Sequence, residues 1–201
     1  IKPHIMDIWT EIARDRERGA RRLVAEYGDR LLTAAFQMTQ NRADAEDLVF
    51  RTFSQVVSKI DSYAGRSAFF TWVYRILLNF RRMDLRKKGA EALVLTDDLP
   101  DGEDPAPDPA EALALRASAA EVRAAVAQLP ETLRTAVVLR YFEELDVAQV
   151  ADALAISVSA AKVRLFAARK RLARLLVLTD FRKGASNHMD GGNGQIRRTH
   201  P

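Results

Sequence analysis

Residues Val147–Arg174 read VAQVADALAISVSAAKVRLFAARKRLAR, and this stretch decides the fold of the second half of the chain. Its first part predicts a short helix with one apolar face, and the tripeptide Ala155–Ser157 predicts a tight turn with Ile156 buried. A second helix follows, with small and apolar side chains on one face: Ala161, Leu165, Ala168 and Leu172. Two short helices joined by a three-residue turn, with small residues where they cross, are typical of a helix-turn-helix.

Basic side chains occupy the predicted outward face of that second helix without any acidic residue: Lys162, Arg164, Arg169, Lys170, Arg171 and Arg174. A helix that lies in the major groove of DNA needs cations for the phosphates on both sides of it. The pattern therefore favours duplex DNA binding. An ordinary helical hairpin with a solvated basic face is the alternative, because helix-turn-helix patterns are short and degenerate.

Helical periodicity also covers the first half of the chain. Apolar residues recur at helical spacing from Ile8 to about Met38, and Asn41 is the predicted N-cap of a helix that runs to about Ile60. The polar segment 61–67 then precedes a helix from about Ala68 to Lys88. Further helices are predicted at 131–142, 147–154 and 158–176. The sequence has no alternating strand pattern, so the predicted fold class is all-α.

Composition divides the chain into two small helical domains and a linker. Residues 6–88 form the first predicted domain and residues 113–178 the second, which contains the helix-turn-helix. Between them, residues 89–112 include the segment TDDLPDGEDPAPDP, whose prolines and carboxylates predict an extended, acidic, flexible linker. Residues 179–201 are expected to be a disordered tail or a cloning remnant.

The composition argues against catalytic and metal chemistry. The 201 residues include no cysteine and only three histidines, all near the ends of the chain: His4, His188 and His200. We therefore expect no catalytic residue, no metal site and no cofactor. The sequence has no apolar run long enough to span a bilayer and no recognisable signal peptide, so we expect a cytoplasmic protein without membrane insertion. Its net charge of +4 is compatible with a nucleic-acid partner.

A cluster of aromatic residues is followed by basic residues in the helix predicted from Ala68 to Lys88. Phe69, Phe70, Trp72 and Tyr74 lie just before a basic run, a combination that suits unstacked, single-stranded bases. The spacing of Phe69, Trp72 and Ile76 favours a core role for the aromatic residues, however, with only the basic residues exposed.

Three segments together resemble the bacterial extracytoplasmic-function (group 4) RNA polymerase sigma factors. They are DAEDLVFRTFSQVV (Asp44–Val57), YAGRSAFFTWVYRILLNFRRMDLRKK (Tyr63–Lys88) and LPETLRTAVVLRYFEELDVAQVADALAISVSAAKVRLFAARKRL (Leu129–Leu172). The resemblance covers most of residues 6–176, in the family's order. It implies an alternative sigma factor that binds core RNA polymerase and directs promoter-specific initiation by melting the −10 element and recognising the −35 element. Promoter DNA and an anti-sigma factor are the further partners that it implies.

The resemblance also implies three groups of site residues. The −10 element would be read by Ser62, Tyr63, Gly65, Arg66, Ser67, Arg75, Asn79 and Arg82. The −35 element would be read by Lys162, Val163, Arg164, Phe166, Arg169 and Lys170. Core polymerase would be bound by Asp44, Glu46, Asp47, Leu48 and Phe53. The sequence departs from the family at Phe50-Arg51, where members usually carry Gln-Glu, and at Ala167, which replaces a common arginine.

Two other classes of protein are alternatives, and each would need a feature of its own. A helix-turn-helix regulator with a helical sensing or dimerisation domain would need an apolar pocket or dimer seam within residues 6–88. A nuclease or recombinase would need converging carboxylates for a metal ion. Asp44, Glu46 and Asp47 are close in sequence, but successive residues of a helix do not converge on one point.

Overall fold

The computed structural model of the chain describes residues 5–87 and 118–189, with side chains over residues 8–87 and 118–178. Over these residues the protein is all-α, as predicted, and has no strands. Its helices are α1 (Ile5–Arg14), α2 (Arg16–Thr39), α3 (Arg42–Lys59), α4 (Phe69–Lys87), α5 (Ala119–Ala127), α6 (Glu131–Val137), α7 (Val147–Leu154) and α8 (Val158–Met189). The predicted linker, residues 89–112, and residues 190–201 lie outside the described residues. We call residues 5–87 the first unit and residues 118–189 the second unit.

A helix break at Asp15 separates α1 from α2, although the apolar periodicity continues through this point. The Asp15 carboxylate accepts a hydrogen bond from the Arg18 amide at 3.0 Å and so caps α2. α1 then folds back against α2 at Gly19. An ideal Cβ on Gly19 would lie only 2.5 Å from the Ile12 Cα, so glycine is what allows the two backbones to come this close.

The predicted cap of α3 is confirmed. The Asn41 side chain accepts a hydrogen bond from the Asp44 amide at 3.0 Å, and a 3₁₀ turn (Ile60–Ser62) follows the helix. α1 to α4 enclose the core of the first unit, whose largest fully buried side chains are Ile8, Ile12, Leu23, Leu31, Met38, Leu48, Val56, Ile60, Phe69, Tyr74 and Leu77.

The helix-turn-helix prediction is confirmed in its helices and turn, but Ile156, which was predicted to be buried, is only half-buried. α7 has the predicted bounds and opens with a capping box between Asp146 and Gln149. Ala155 ends it in the left-handed conformation, with φ of 55°, and the chain re-enters a helix at Val158. The helix predicted over 131–142 is also present, but its second half, Val138–Phe142, is wound as a π-helix.

The prediction of a disordered tail is wrong over residues 179–189, because α8 continues to Met189. No proline interrupts this segment, and an isolated glycine such as Gly184 costs a helix only about 1 kcal/mol. Neither residue type nor composition therefore forces the helix to end at residue 178.

The two units are packed together through α4 and α7. Leu139, Val150 and Ala151 of the second unit belong to the same buried cluster as Leu77 and Leu78 of the first. A smaller cluster beneath α5 and α6 is separate: Val126, Leu129, Val137 and Ala168. This contact positions α7 directly over one face of α4.

Candidate functional site

The predicted −10 loop is anchored at Tyr63. Its ring contacts Trp9, Phe69 and Trp72 at centroid distances of 5.8, 5.5 and 5.2 Å, and its hydroxyl donates a hydrogen bond to the Ser67 carbonyl at 2.7 Å. The Ser62 hydroxyl donates to the Lys59 carbonyl. Tyr63 and Ser67 are half-buried, so they support the loop from behind.

The exposed residues of this loop are Ser62, Ala64, Gly65 and Arg66. Gly65 has φ of +68°, a left-handed conformation that L side chains rarely adopt. Nothing lies within 4 Å of the position that its Cβ would take, so a ligand can approach the backbone closely there.

The structure brings the other predicted −10 residues together on one face of α4. Arg75, Asn79 and Arg82 are spaced at four and three residues, as one helical face requires. Arg75 and Asn79 are exposed, whereas Arg82 is half-buried. Burial, followed by the positive charges of Arg86 and Arg75, lowers the pKa of Arg82.

Residues of α7 cover part of this arginine face. Arg75 Nη1 lies 3.2 Å from Asp152 Oδ1, and Arg82 Nη2 donates to the Leu154 carbonyl at 3.1 Å. The core interpretation made from Phe69, Trp72 and Ile76 is confirmed for Phe69, which is buried with Phe70 and Tyr74, whereas Trp72 and Ile76 are half-buried against the core.

Only some of the predicted −35 residues are accessible on α8. Lys162 and Lys170 are exposed, and three others are half-buried: Val163, Phe166 and Arg169. Arg164 is 7% exposed, so its prediction as an outward-facing residue is wrong in this arrangement. It lies three residues after Ala161 and one before Leu165, close to the buried face, and its long side chain packs inward.

The predicted polymerase-binding residues of α3 divide into two groups. Glu46 and Asp47 are exposed and Asp44 is half-buried, which suits contact with a partner. Leu48 and Phe53 are 1% and 7% exposed. These two residues therefore shape the helix from within the core and offer a partner little surface.

The sequence identified Phe50 only as a departure from the family pattern and did not predict that its side chain is exposed. Phe50 is 72% exposed, the most exposed of the large apolar side chains in the described residues. It lines an apolar groove of about 620 Å³ between α2 and α3, together with Ala20, Val24, Gly28, Leu32, Val49, Phe53 and Val57. Asp29 and Glu46 contribute carboxylates to the groove. Helical spacing could have indicated this exposure, because Phe50 lies two residues from each of the buried residues Leu48 and Thr52. Residues two apart do not share a face of a helix.

Arg51, the other departure, is drawn towards α4. Its Nη1 donates to Asp84 Oδ1 at 3.0 Å, its Nε lies 2.8 Å from Asp47 Oδ2, and its guanidinium lies 5.1 Å from the Phe80 ring centroid. The hydrogen bond with Asp84 is the main cause that raises the pKa of Arg51. The cation gained at this position is therefore neutralised within the unit.

The described part of the chain lacks two further features. No group of three or more His, Asp or Glu side chains in it could hold a metal ion. No helix in it is long and apolar enough to cross a membrane.

Comparison with known proteins gives matches on both units. Residues 23–91 match the family described as Sigma-70 region 2, and residues 119–172 match Sigma-70, region 4. The RNA polymerase sigma-H factor of Pseudomonas aeruginosa is 29% identical over 172 residues, which cover 80% of this chain and 89% of that protein. The ECF RNA polymerase sigma factor SigW of Bacillus subtilis is 29% identical over 166 residues, which cover 77% of this chain and 87% of SigW.

Solved structures share the fold. CnrH in complex with the cytosolic domain of CnrY is 24% identical, with a TM-score of 0.61 over 87% of this chain and 97% of CnrH. The sigma factor RpoE of Bartonella quintana, in complex with the anti-sigma factor NepR, is 26% identical, with a TM-score of 0.58 over 78% of this chain and 95% of RpoE.

The two sigma-70 matches coincide with the unit that carries the arginine face of α4 and with the helix-turn-helix unit. Their order along the chain is that of the predicted −10 and −35 segments. The chain thus belongs to the sigma-70 family, in its extracytoplasmic-function group, and is an alternative sigma factor that directs the initiation of transcription.

Proposed function

We propose that this chain binds core RNA polymerase through the α2–α3 groove, reads the −35 element with α8 and melts the −10 element with α4 and the loop before it. One observation carries most weight: a single chain combines an exposed apolar groove with carboxylates and a basic helix-turn-helix. The first is suited to a protein partner and the second to duplex DNA. Action with the polymerase on promoter DNA implies the cytoplasm, and recognition alone, without a catalytic site, is sufficient for this role.

Docking depends on Phe50 and its surroundings. Burying an exposed phenylalanine contributes about 1.5–3 kcal/mol, and aromatic side chains are enriched among the residues that dominate interfaces. Asp29 and Glu46 supply carboxylates to the groove, and Glu46 forms an ion pair with Arg42 at 2.7 Å. An apolar partner segment flanked by Lys or Arg would complement this surface.

The docking test compares two exposed phenylalanines of the first unit. Phe50→Asp should lower the affinity for core polymerase by at least tenfold, because it places a charge in an apolar contact. Phe36→Asp is the matched control, since Phe36 is 41% exposed on α2 and does not line the groove. Affinity is measured by fluorescence anisotropy, with circular dichroism to verify folding. Equal affinities for the two variants and the wild type would refute docking at this groove.

Duplex recognition depends on α8. Lys162 is the exposed basic residue nearest to the start of this helix, where recognition helices contact base edges. If Lys162 contacts a base, Lys162→Ala should cost about 1–3 kcal/mol of binding free energy and relax the sequence preference at one position of the DNA. If Lys162 contacts a phosphate, the substitution should weaken binding to all DNA sequences alike. Footprints over the −35 element of a dependent promoter distinguish these results. An unchanged footprint removes Lys162 from the site.

Strand opening depends on α4 and the loop around Gly65. An extruded base offers its pairing edge to an amide that both donates and accepts, and Asn79 is exposed beside Arg75 and Arg82. Asn79→Ala should slow open-complex formation and leave core binding intact. Permanganate reactivity of thymines near the start site reports strand opening. Permanganate reactivity equal to that of the wild type would show that Asn79 has no role in melting.

An anti-sigma factor is the third partner. RpoE was solved in complex with the anti-sigma factor NepR, and CnrH in complex with the cytosolic domain of CnrY. The fold shared with these two proteins supports a partner of the same kind for this chain. The alternative of a regulator with a helical sensing domain is not favoured, because residues 23–91 match Sigma-70 region 2.

A further inference from the structure

Two apolar side chains lie at the centre of the outward face of α8. The buried face of this helix carries Ala161, Leu165 and Ala168, and α8 packs on α5, α6 and α7. The opposite face carries four residues at spacings of four, three and four: Ser159, Val163, Phe166 and Lys170. Valine and phenylalanine thus occupy the middle of a face that is usually polar on a helix of this kind.

Neither side chain belongs to the hydrophobic core. Val163 and Phe166 are half-buried, but among the described residues they belong to neither core cluster and are not packed against one. Lys162 and Lys170 are exposed beside them. The outward face of α8 therefore combines an apolar centre with flanking cations. This combination fits the major groove of DNA, where phosphates line both sides and the methyl groups of thymine lie within the groove.

We propose that Val163 and Phe166 recognise thymine in the −35 element by contact with its 5-methyl group. The inference rests on the proposed function in one respect, which is that α8 enters the major groove. Both residues lie near the start of α8, and the first residues of a recognition helix are the ones that contact base edges.

The chemistry of the two side chains selects the base. Valine and phenylalanine side chains neither donate nor accept conventional hydrogen bonds, so they cannot read the donors and acceptors of a base edge. Thymine is the base that presents a methyl group in the major groove. An apolar pair at the centre of the face therefore favours base pairs that contain thymine.

Arginines that could read guanine are set back from this face. Arginine binds the two acceptors that guanine presents in the major groove. Arg164 packs inward and is 7% exposed, and position 167 is an alanine, where the family commonly carries an arginine. Apolar contact should therefore contribute more to base recognition by this helix than hydrogen bonds from arginine do.

Replacement of thymine by deoxyuridine tests the contact, because it removes only the 5-methyl group. Genomic promoter fragments that bind core polymerase together with the full chain supply the −35 elements, and each thymine of one element is replaced in turn. Affinity is measured by competition at a temperature too low for strand opening. At one thymine or more, the replacement should lower the affinity about fourfold, which is the contribution of one buried methyl group.

Substitutions in α8 assign the contact to its side chains. Phe166→Ala and Val163→Ala should each reduce the ratio of affinities for thymine and deoxyuridine at the base that the lost side chain contacts. Phe166→Leu should keep the ratio, because leucine is also apolar. Lys162→Ala is the control, since it should weaken binding to both duplexes by the same factor. A role of Phe166 in packing alone would lower affinity for both duplexes and leave the ratio unchanged.

Two results would overturn the inference. The first is a wild-type protein whose affinity is unchanged by deoxyuridine at every thymine, or whose −35 elements contain no thymine. The second is a methyl contribution that both alanine variants retain, because another residue would then make the contact. The first comparison uses only the wild-type protein, so it does not depend on the folding of a variant. Failure of the polymerase and this chain to form a complex with any promoter fragment would instead refute the proposed function, and this inference with it.

Discussion

Substitution of glycine by alanine should have opposite effects on the stability of the protein at two positions of α2. At Gly28, a new Cβ would have only the Val24 Cγ1 atom nearby, at 3.7 Å, which is an ordinary contact. Gly28→Ala should therefore stabilise the protein by about 1 kcal/mol, the difference in helix propensity. At Gly19, the Cβ would lie 2.5 Å from the Ile12 Cα and 2.6 Å from the Ile12 nitrogen, both backbone atoms.

Relief of the clash at Gly19 requires α1 to move. Ordinary contact begins at 3.4 Å, so α1 would have to retreat by about 1 Å. Overpacking of this kind costs about 1–3 kcal/mol, and the rigid backbone of Ile12 favours the upper part of that range. After the gain in helix propensity, Gly19→Ala should destabilise the protein by about 1–2 kcal/mol.

The same displacement should affect the −10 loop. Trp9 of α1 contacts the Tyr63 ring, with 5.8 Å between the ring centroids. Urea denaturation measures the stability of both glycine variants, and permanganate footprinting measures strand opening. Gly19→Ala should lower stability and slow opening, while Gly28→Ala should raise stability. Equal stabilisation by both substitutions would refute the close approach of α1 to α2.

Three further predictions concern local interactions in the first unit. Asn41→Ala removes the cap of α3 and should lower the free energy of unfolding by about 1 kcal/mol, measured by urea denaturation. Asp84→Asn should lower the thermal midpoint, because Arg51 then loses its bidentate partner; an unchanged midpoint would mean that the pair is not formed in solution. A hydrogen bond from Arg22 is the main cause that holds the pKa of Glu11 below its usual 4.5. This pair therefore stabilises the fold above pH 4.5, and its contribution is lost as the pH falls through the lowered pKa. Glu11→Gln should then cost stability at pH 7 and little near pH 3.

Local sequence signals predicted the helices well where caps and breakers are explicit. Asn41 lies at the predicted start of α3, and α7 has its predicted bounds. The break at Asp15 was missed, because the apolar periodicity continues into α2. α8 was predicted too short, because no residue after 178 marks a definite helix end.

The candidate site was harder to predict than the fold. Periodicity assigned Arg164 to the outward face of α8, but a long arginine side chain near the edge of a face can turn inward. Phe50 and Arg51 were noticed only as departures from a family pattern. Their orientations, one exposed in a groove and one turned towards Asp84, depend on the packing of α3 against α2 and α4, which sequence spacing does not specify.

The contact between the two units had no sequence signal. Arg75 and Asp152 are 77 residues apart, and each reads locally as a solvated charge. Only the packing of α7 on α4 brings these residues together and covers part of the predicted −10 face of α4. Long-range charge complementarity of this kind cannot be inferred from helical periodicity.

Promoter-directed initiation is tested most directly by transcription of genomic DNA fragments with purified core polymerase, with and without this protein, followed by sequencing of transcript 5′ ends. The protein should produce transcripts absent with core alone, and their start sites should share sequence elements near −10 and −35. Phe50→Asp should abolish these transcripts, whereas Phe36→Asp should preserve them. The same set of 5′ ends with and without the protein would contradict its role as a sigma factor.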